Sequence, residues 1–284
     1  MRWLLLEMVL GLGLVGRLPA QAVCRPPATS NEAKVLGNFA VPLAFSALAA
    51  PQPVRAGSLR FTLEGSYLPT LDAATRTATI CRPGKGPENT DLLFAFPRPR
   101  IAVGLPGSLF LEASWIPPVR LNGAKANLGA VALGRGFALG QGRGTTTVGI
   151  RAHATFGVVE APITCDDEAL LDVTSECYQG TRSDDHYHPA TYGAEASLGW
   201  RLAGGRVRPY LGGGVNLLRP RFQVHFVNSL GNTDTTRVEV DLTRGVAFGG
   251  VTWETARGFG LGGQIYAAPA DAVTARLAVS YAWR

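Results

Sequence analysis

The stretch Ala272-Val273-Thr274-Ala275-Arg276-Leu277-Ala278-Val279-Ser280-Tyr281-Ala282-Trp283-Arg284 decides the fold. Val273, Ala275, Leu277, Val279, Tyr281 and Trp283 take one set of alternate positions, and Thr274, Arg276, Ala278, Ser280 and Ala282 take the other. Successive strand side chains point to opposite faces, so one face of this strand is greasy and the other polar. The greasy face ends in two aromatics. A strand that closes a transmembrane β-barrel needs that pattern: lipid on one side, lumen on the other, and an aromatic girdle at the water boundary.

The segment resembles the closing strand of Gram-negative outer-membrane barrel proteins, although Arg284 follows the terminal aromatic here. The architecture is like that of the small barrels of the OmpA and OmpW type, over residues 57–284. The resemblance implies residence in the cell outer membrane, with its lipids and the barrel-assembly machinery as partners. The other end of the chain agrees. Met1-Arg2 is a basic start, Leu4 to Val15 is an apolar run interrupted by Glu7, and Ala20-Gln21-Ala22 is a small-x-small site. Residues 1–22 therefore read as a secretory signal peptide.

Composition narrows the class. Glycine is abundant at 35 residues and charge is low at 17%, which weakens helices and suits curved sheets. After the leader no run reaches the roughly 18 apolar residues of a membrane helix. The net charge of +6 comes from basic residues scattered singly, without the clustered patch that phosphate binding requires, so nucleic acid is not an expected partner. Gly212-Gly213-Gly214 and Gly260-Leu261-Gly262-Gly263 carry no phosphate-loop signature and read as close-packing positions. No cofactor is expected, and a monomer is.

Residues 23–56 are rich in Ala and Pro and keep neither a two-residue nor a 3.6-residue period. They read as an N-terminal arm, a lumen plug or an extra strand. From residue 57, amphipathic strands recur. Leu59, Phe61, Leu63 and Tyr67 oppose Arg60, Thr62, Glu64 and Ser66; Ile101 and Val103 oppose Arg100 and Ala102; Leu109, Leu111 and Trp115 oppose Phe110, Glu112 and Ser114. Ile150, Ala152 and Phe156 oppose Arg151, His153 and Thr155, and Tyr192, Leu198 and Trp200 oppose Glu195, Ser197 and Arg201. Asn127–Leu139 has a blurred period, and the phase slips at Leu217-Leu218, as a β-bulge or a strand leaving the membrane would make it do. About ten strands result, an even number as bacterial barrels have, although 8 or 12 would also fit. Connections alternate short (Leu105–Gly107, Gly140–Gly144, Ala203–Gly205, Ala256–Gly258) and long (Pro69–Pro97, Pro117–Ala126, Pro162–Pro189, Asn228–Thr236). Short periplasmic turns with long outer loops are the outer-membrane pattern, and only Pro269–Asp271 breaks it. Trp200, Trp253 and Trp283 then mark the periplasmic belt, and Tyr67, Trp115 and Tyr192 the outer one.

The inward faces carry Arg60, Glu64, Arg100, Glu112, Arg151, His153, Glu195, Arg201, Arg208, Tyr210, Gln264 and Arg276. Charges in a narrow lumen must pair or be hydrated. We expect Arg60, Glu64, Glu112, Arg151, His153, Glu195, Arg201 and Arg276 to form a polar network that holds the barrel shut, with a structural or passive small-solute permeation role. An arginine-lined anion pore is the sharper competing picture. A second alternative is a rim-sited hydrolase, since Asp184, Asp185, His186 and His188 crowd the long outer loop Pro162–Pro189 and are also the weak candidates for a divalent-metal site. That cluster invites comparison with the omptins, ten-stranded outer-membrane proteases, but their acid and acid–histidine pairs sit on facing strands and none carries over. No catalytic residue is assigned. A third alternative is a soluble secreted β-barrel. Four cysteines in an exported chain suggest disulfides: Cys165 with Cys177 across one loop, and Cys24 with Cys81 only if the N-terminal arm threads the lumen.

Overall fold

The computed structural model describes residues 23–83, 85–90, 94–121, 123–140, 145–202 and 205–283. The expected leader over residues 1–22, most of the expected turn Gly140–Gly144, Ala203-Gly204 and Arg284 lie outside the described residues.

Ten antiparallel strands form the wall: β1 (Leu59–Tyr67), β2 (Ala95–Gly104), β3 (Leu109–Leu121), β4 (Ala124–Leu139), β5 (Thr146–Ala161), β6 (Asp185–Trp200), β7 (Val207–Gln223), β8 (Leu242–Glu254), β9 (Phe259–Ala268) and β10 (Ala272–Trp283). Each pairs with its sequence neighbour, and β10 pairs back onto β1 from Arg276–Ser66 to Trp283–Leu59, so the sheet is closed. Closure leaves no edge strand for the lipid to solvate, which a membrane-spanning sheet requires. Strand ends carry the predicted asymmetry. β4 to β7 run 16 or 17 residues, longer than the roughly 9–11 that cross a bilayer. Their excess stands on the side of the long loops.

The outward face is apolar. Leu277 is 71% exposed, Trp283 68% and Leu63 56%, a belt that water would not tolerate and lipid would. Tyr67, Trp115 and Tyr192 lie toward one end of it, and Trp253 and Trp283 toward the other, all five exposed. From Tyr192 to Trp200 is about 26 Å of strand at 3.3 Å per residue, close to the height of an outer-membrane apolar band. The fold is that of a bacterial outer-membrane barrel, and the soluble alternative is left with an uncovered apolar surface.

The lumen is occupied. Val23–Cys24 lie at the outer rim, paired in parallel with Arg237–Val238. Helix α1 (Asn31–Leu43) follows inside the barrel, packed on β6, β7, β9 and β10. Residues 44–58 then run extended down the lumen to the periplasmic turn, where Gly57 bonds to Gly104. The arm is therefore a plug threaded from the outer rim to the periplasmic end. No helix of the described residues is long and apolar enough to cross a membrane.

The plug accounts for most departures from the predicted strand pattern. β4 is regular: Leu128, Ala130 and Ala132 face in and Val131 and Leu133 face out. Its period looked blurred because Phe45 of the plug packs on Ala130 and Ala132, so both faces are apolar. The expected phase slip at Leu217-Leu218 is not there, since β7 keeps unbroken register with β6 and β8. Leu218 faces in and is fully buried among the apolar residues around α1. The expected loop Pro117–Ala126 is mostly strand, with a bulge between Ile116 and Val119 and pairing that runs on to Leu121–Ala124.

Candidate functional site: the lumen clamp

The wall seizes the plug where α1 ends. A helix leaves its last carbonyls without intrahelical partners and carries partial negative charge there. α1 has no basic residue in its last turn, and the wall supplies the cations instead. Arg276 of β10 donates to the Val41 and Pro42 carbonyls at 3.2 and 3.3 Å. Arg98 of β2 donates to the Leu43 carbonyl at 2.9 Å, as does Thr155 at 3.0 Å. The extended chain is held next: Arg151 donates to Phe45 at 2.7 Å, Arg100 to Ser46 at 2.9 Å and Gln264 to Ala47 at 2.5 Å. Glu195 accepts from the Ala47 amide at 3.3 Å. Three guanidinium groups, those of Arg98, Arg100 and Arg151, surround the buried Phe45 ring at 5.6, 4.2 and 4.9 Å, where the ring face attracts cations.

Carboxylates knit these arginines into a belt. Glu64 accepts from Arg100 Nε at 2.7 Å and from Ser66 at 2.6 Å, with Arg276 and Arg98 at 3.8 and 3.9 Å. Glu112 joins Arg100 at 3.3 Å to Arg151 at 2.8 Å. Glu195 faces His153 at 3.4 Å. Three carboxylates thus meet four arginines, and the plug carbonyls stand in for the missing anion. Of the residues expected in the network, Glu64, Glu112, Arg151, His153, Glu195 and Arg276 lie in this belt. Arg60 belongs to a lower tier, paired to Glu254 at 2.8 Å, while Arg208 bridges Glu254 at 3.0 Å and Gln52 of the plug at 2.5 Å. Arg201 is a correction: it lies past the end of β6 and is exposed. Tyr210 and Tyr266 flank Phe248 in an aromatic stack on the opposite wall.

Arg98 escaped the sequence reading. It stands between Pro97 and Pro99, which argued for a loop. The prolines face outward on a length of β2 that β3 does not pair with, where a missing N–H breaks no ladder bond. The plug's exit left a clearer trace. The wall glycines Gly149 and Gly199 lie where an added Cβ would come within 2.6 and 3.0 Å of Pro51, so a side chain at either position would press on the arm.

Outside the clamp, Cys24 is bonded to Cys81 and Cys165 to Cys177. The threading condition for the first pair is met. Peptide mapping without reduction is expected to return these two pairs alone; a Cys81–Cys165 peptide would contradict the threading. Glu32, in the first turn of α1, accepts from the amides of Thr79, Ile80 and Cys81 at 2.9, 2.7 and 2.9 Å. Burial pushes its carboxyl up, but these amides outweigh burial and leave it below the usual value of 4.5. A depressed carboxyl contributes stability above the unfolded value that is lost as pH falls through the folded one. Exchange protection at amides 79–81 is therefore expected to hold at pH 5 and above and to fail on acidification below 4.5. Protection that is unchanged at pH 3 would show that Glu32 does not hold this loop.

The acidic–histidine cluster does not assemble. Asp185 faces in and accepts from the Ile163, Thr164 and His225 amides and the Ser183 hydroxyl at 3.1, 2.7, 2.9 and 2.8 Å. Asp184 is exposed, His188 faces outward against the Gly157 carbonyl, and His186 is half-buried. Alternation along β6 turns Asp185 away from His186 and His188, and no three metal-ligating side chains converge among the described residues.

No known protein family's profile matches the sequence, and no curated protein matches it. Among solved structures the chain is similar to Ail, the attachment invasion locus protein of Yersinia pestis, at 10% identity over 81% of this chain and 100% of that one, with a TM-score of 0.32. It is similar to the translocator domain of the autotransporter NalP from Neisseria meningitidis at 11% identity over 90% and 99%, TM-score 0.31. The toluene transporter TodX of Pseudomonas putida gives 7% identity over 86% and 76%, TM-score 0.30. Likenesses this slight carry no functional weight, and the barrel stands on its own strand pairing.

Proposed function

We propose that this outer-membrane barrel is closed at rest by its own N-terminal arm, with a structural role, and that small solutes pass only when the arm moves. The observation that supports this is the row of wall-to-plug hydrogen bonds from Val41 to Ala47, which fills the lumen at the level of the charged belt. In an open arginine-lined pore the guanidinium groups would face water. Here they are spent on plug carbonyls and on Glu64, Glu112 and Glu195. This reading assigns the chain no catalysis. It takes the protein as a monomer, with the outer-membrane lipids and the barrel-assembly machinery as its partners.

Planar-bilayer recording tests it. The refolded chain is expected to show a near-zero baseline with brief openings. A large, steady, anion-selective current from the unmodified protein would overturn the closed barrel.

A further inference from the structure

Above the clamp, the outer half of the lumen holds a cavity of about 490 Å³, a size typical of small-molecule sites. Leu36 and Phe39 of the plug helix and Leu128 of β4 line it from within. The loops on either side of Cys81 and Thr164 roof it, and the charged groups of that roof are engaged with one another. Glu32 holds the 79–81 amides. Arg82 pairs with Glu88 at 2.6 Å, with Glu176, and with Asp234 at 3.6 Å.

The same cavity is lined by residues of the outer surface. Phe96 of β2 points into the lumen, whereas Pro97 and Pro99 of β2 and Leu63 of β1 point toward lipid, yet all four border it. One cavity touches both faces of a strand only by passing through the wall beside it. The strand pairing shows where. The ladder between β2 and β3 stops at Arg100–Ser114, although β2 extends to Ala95 and β3 to Leu121. Beyond that point β3 pairs with β4 alone, across the bulge at Pro117-Pro118. Four prolines thus stand along the two parted edges and remove backbone donors that would otherwise face an apolar medium without a partner. The gap opens beside Trp115, at the outer edge of the apolar belt.

We propose that this cavity binds an uncharged, hydrocarbon-rich molecule, admitted sideways from the outer leaflet through the gap between β2 and β3. The charge follows from the roof: an ionic headgroup drawn inside would lose its water and meet charges already paired, which is unfavourable. The hydrocarbon comes either from a lipid acyl chain or from a free apolar solute. This goes beyond a closed lumen. Conductance and ligand uptake are read separately, so a conducting barrel that still binds would sink the closed reading and leave this one standing.

The full chain, refolded and held in amphipol, is titrated with N-phenyl-1-naphthylamine, which is neutral, and with its sulfonate analogue 8-anilino-1-naphthalenesulfonate, against amphipol alone. The neutral probe is expected to saturate near one per barrel, and the sulfonate to bind at least tenfold more weakly. Ala126→Leu, which fills the cavity from β4, is expected to weaken the neutral probe at least tenfold. Val119→Trp, at the exposed mouth, is expected to slow uptake at least fivefold; heat-dependent gel migration confirms that both variants are folded. Displacement of the probe by added phospholipid would identify an acyl chain as the occupant, and resistance to displacement a free solute; either supports the site. Failure to saturate, equal binding of the sulfonate, or unchanged affinity in folded Ala126→Leu would overturn the site, and unchanged uptake in folded Val119→Trp the sideways route.

Discussion

Glu64→Ala is expected to destabilise the barrel by about 3–5 kcal/mol, the usual cost of leaving a buried charge without its partner. Glu64 is fully buried and sits between the arginines of the two flanking strands, with Arg100 bonded to it and Arg98 and Arg276 within 4 Å. Removing it leaves three guanidinium groups crowded together, with only Glu112 near Arg100. The neighbours cannot relax away, because their remaining donors hold the plug. Glu64→Gln keeps an acceptor and is expected to cost less. The contrast is Glu160→Ala, which breaks a half-exposed pair with Lys125 and is expected to cost under about 1 kcal/mol. Urea titrations of refolding into lipid vesicles measure all three. If the Glu64 and Glu160 changes cost the same, the belt is not what holds the lumen together.

Leu277→Arg is expected to cost about 2–4 kcal/mol, the penalty for an arginine on the lipid face near the bilayer midplane. Leu277 is the most exposed apolar residue of β10, so nothing but lipid receives it. Ser280→Arg is expected to cost clearly less. Ser280 faces inward, where it borders a vestibule of about 310 Å³ at the periplasmic end, in company with Thr62 and Glu254. The same titrations decide it: a larger loss at Ser280 than at Leu277 would mean that the faces of β10 are reversed.

The wall was legible because lipid imposes a strict two-residue period on residues such as Val273 to Trp283, and no packing detail inside the barrel disturbs it. The plug was not legible, for the converse reason. α1 is enclosed on most sides, so Ala33, Leu36, Ala40 and Val41 are all buried and no polar stripe marks a helical period. Its start was nevertheless signposted, with Ser30 as N-cap accepting from the Ala33 amide. The plug then propagated its own illegibility into the wall, because inward positions that touch it, such as Leu128 and Leu218, are apolar where a water-filled lumen would want polar groups. Arg98 was hidden by prolines that only a parted strand edge makes acceptable. Of the candidate metal residues, Asp185 turns inward while Asp184 and His188 stay exposed, because neighbours in sequence on a strand face opposite ways.

The route of the arm constrains the order of assembly. Residue 24 sits at the outer rim, bonded to residue 81, while residue 58 sits at the periplasmic turn where the first wall strand begins. The chain therefore doubles back through its own ring, and a ring completed beforehand would have to pass the arm through a bore already crossed by side chains. The seam that completes the ring joins β10 to β1, and its two facing strands carry Arg276 and Glu64, the groups that grip and brace the arm. Curling up and filling are thus one event: the wall finishes by closing around a chain already in place, and at no stage need the membrane face an empty hole.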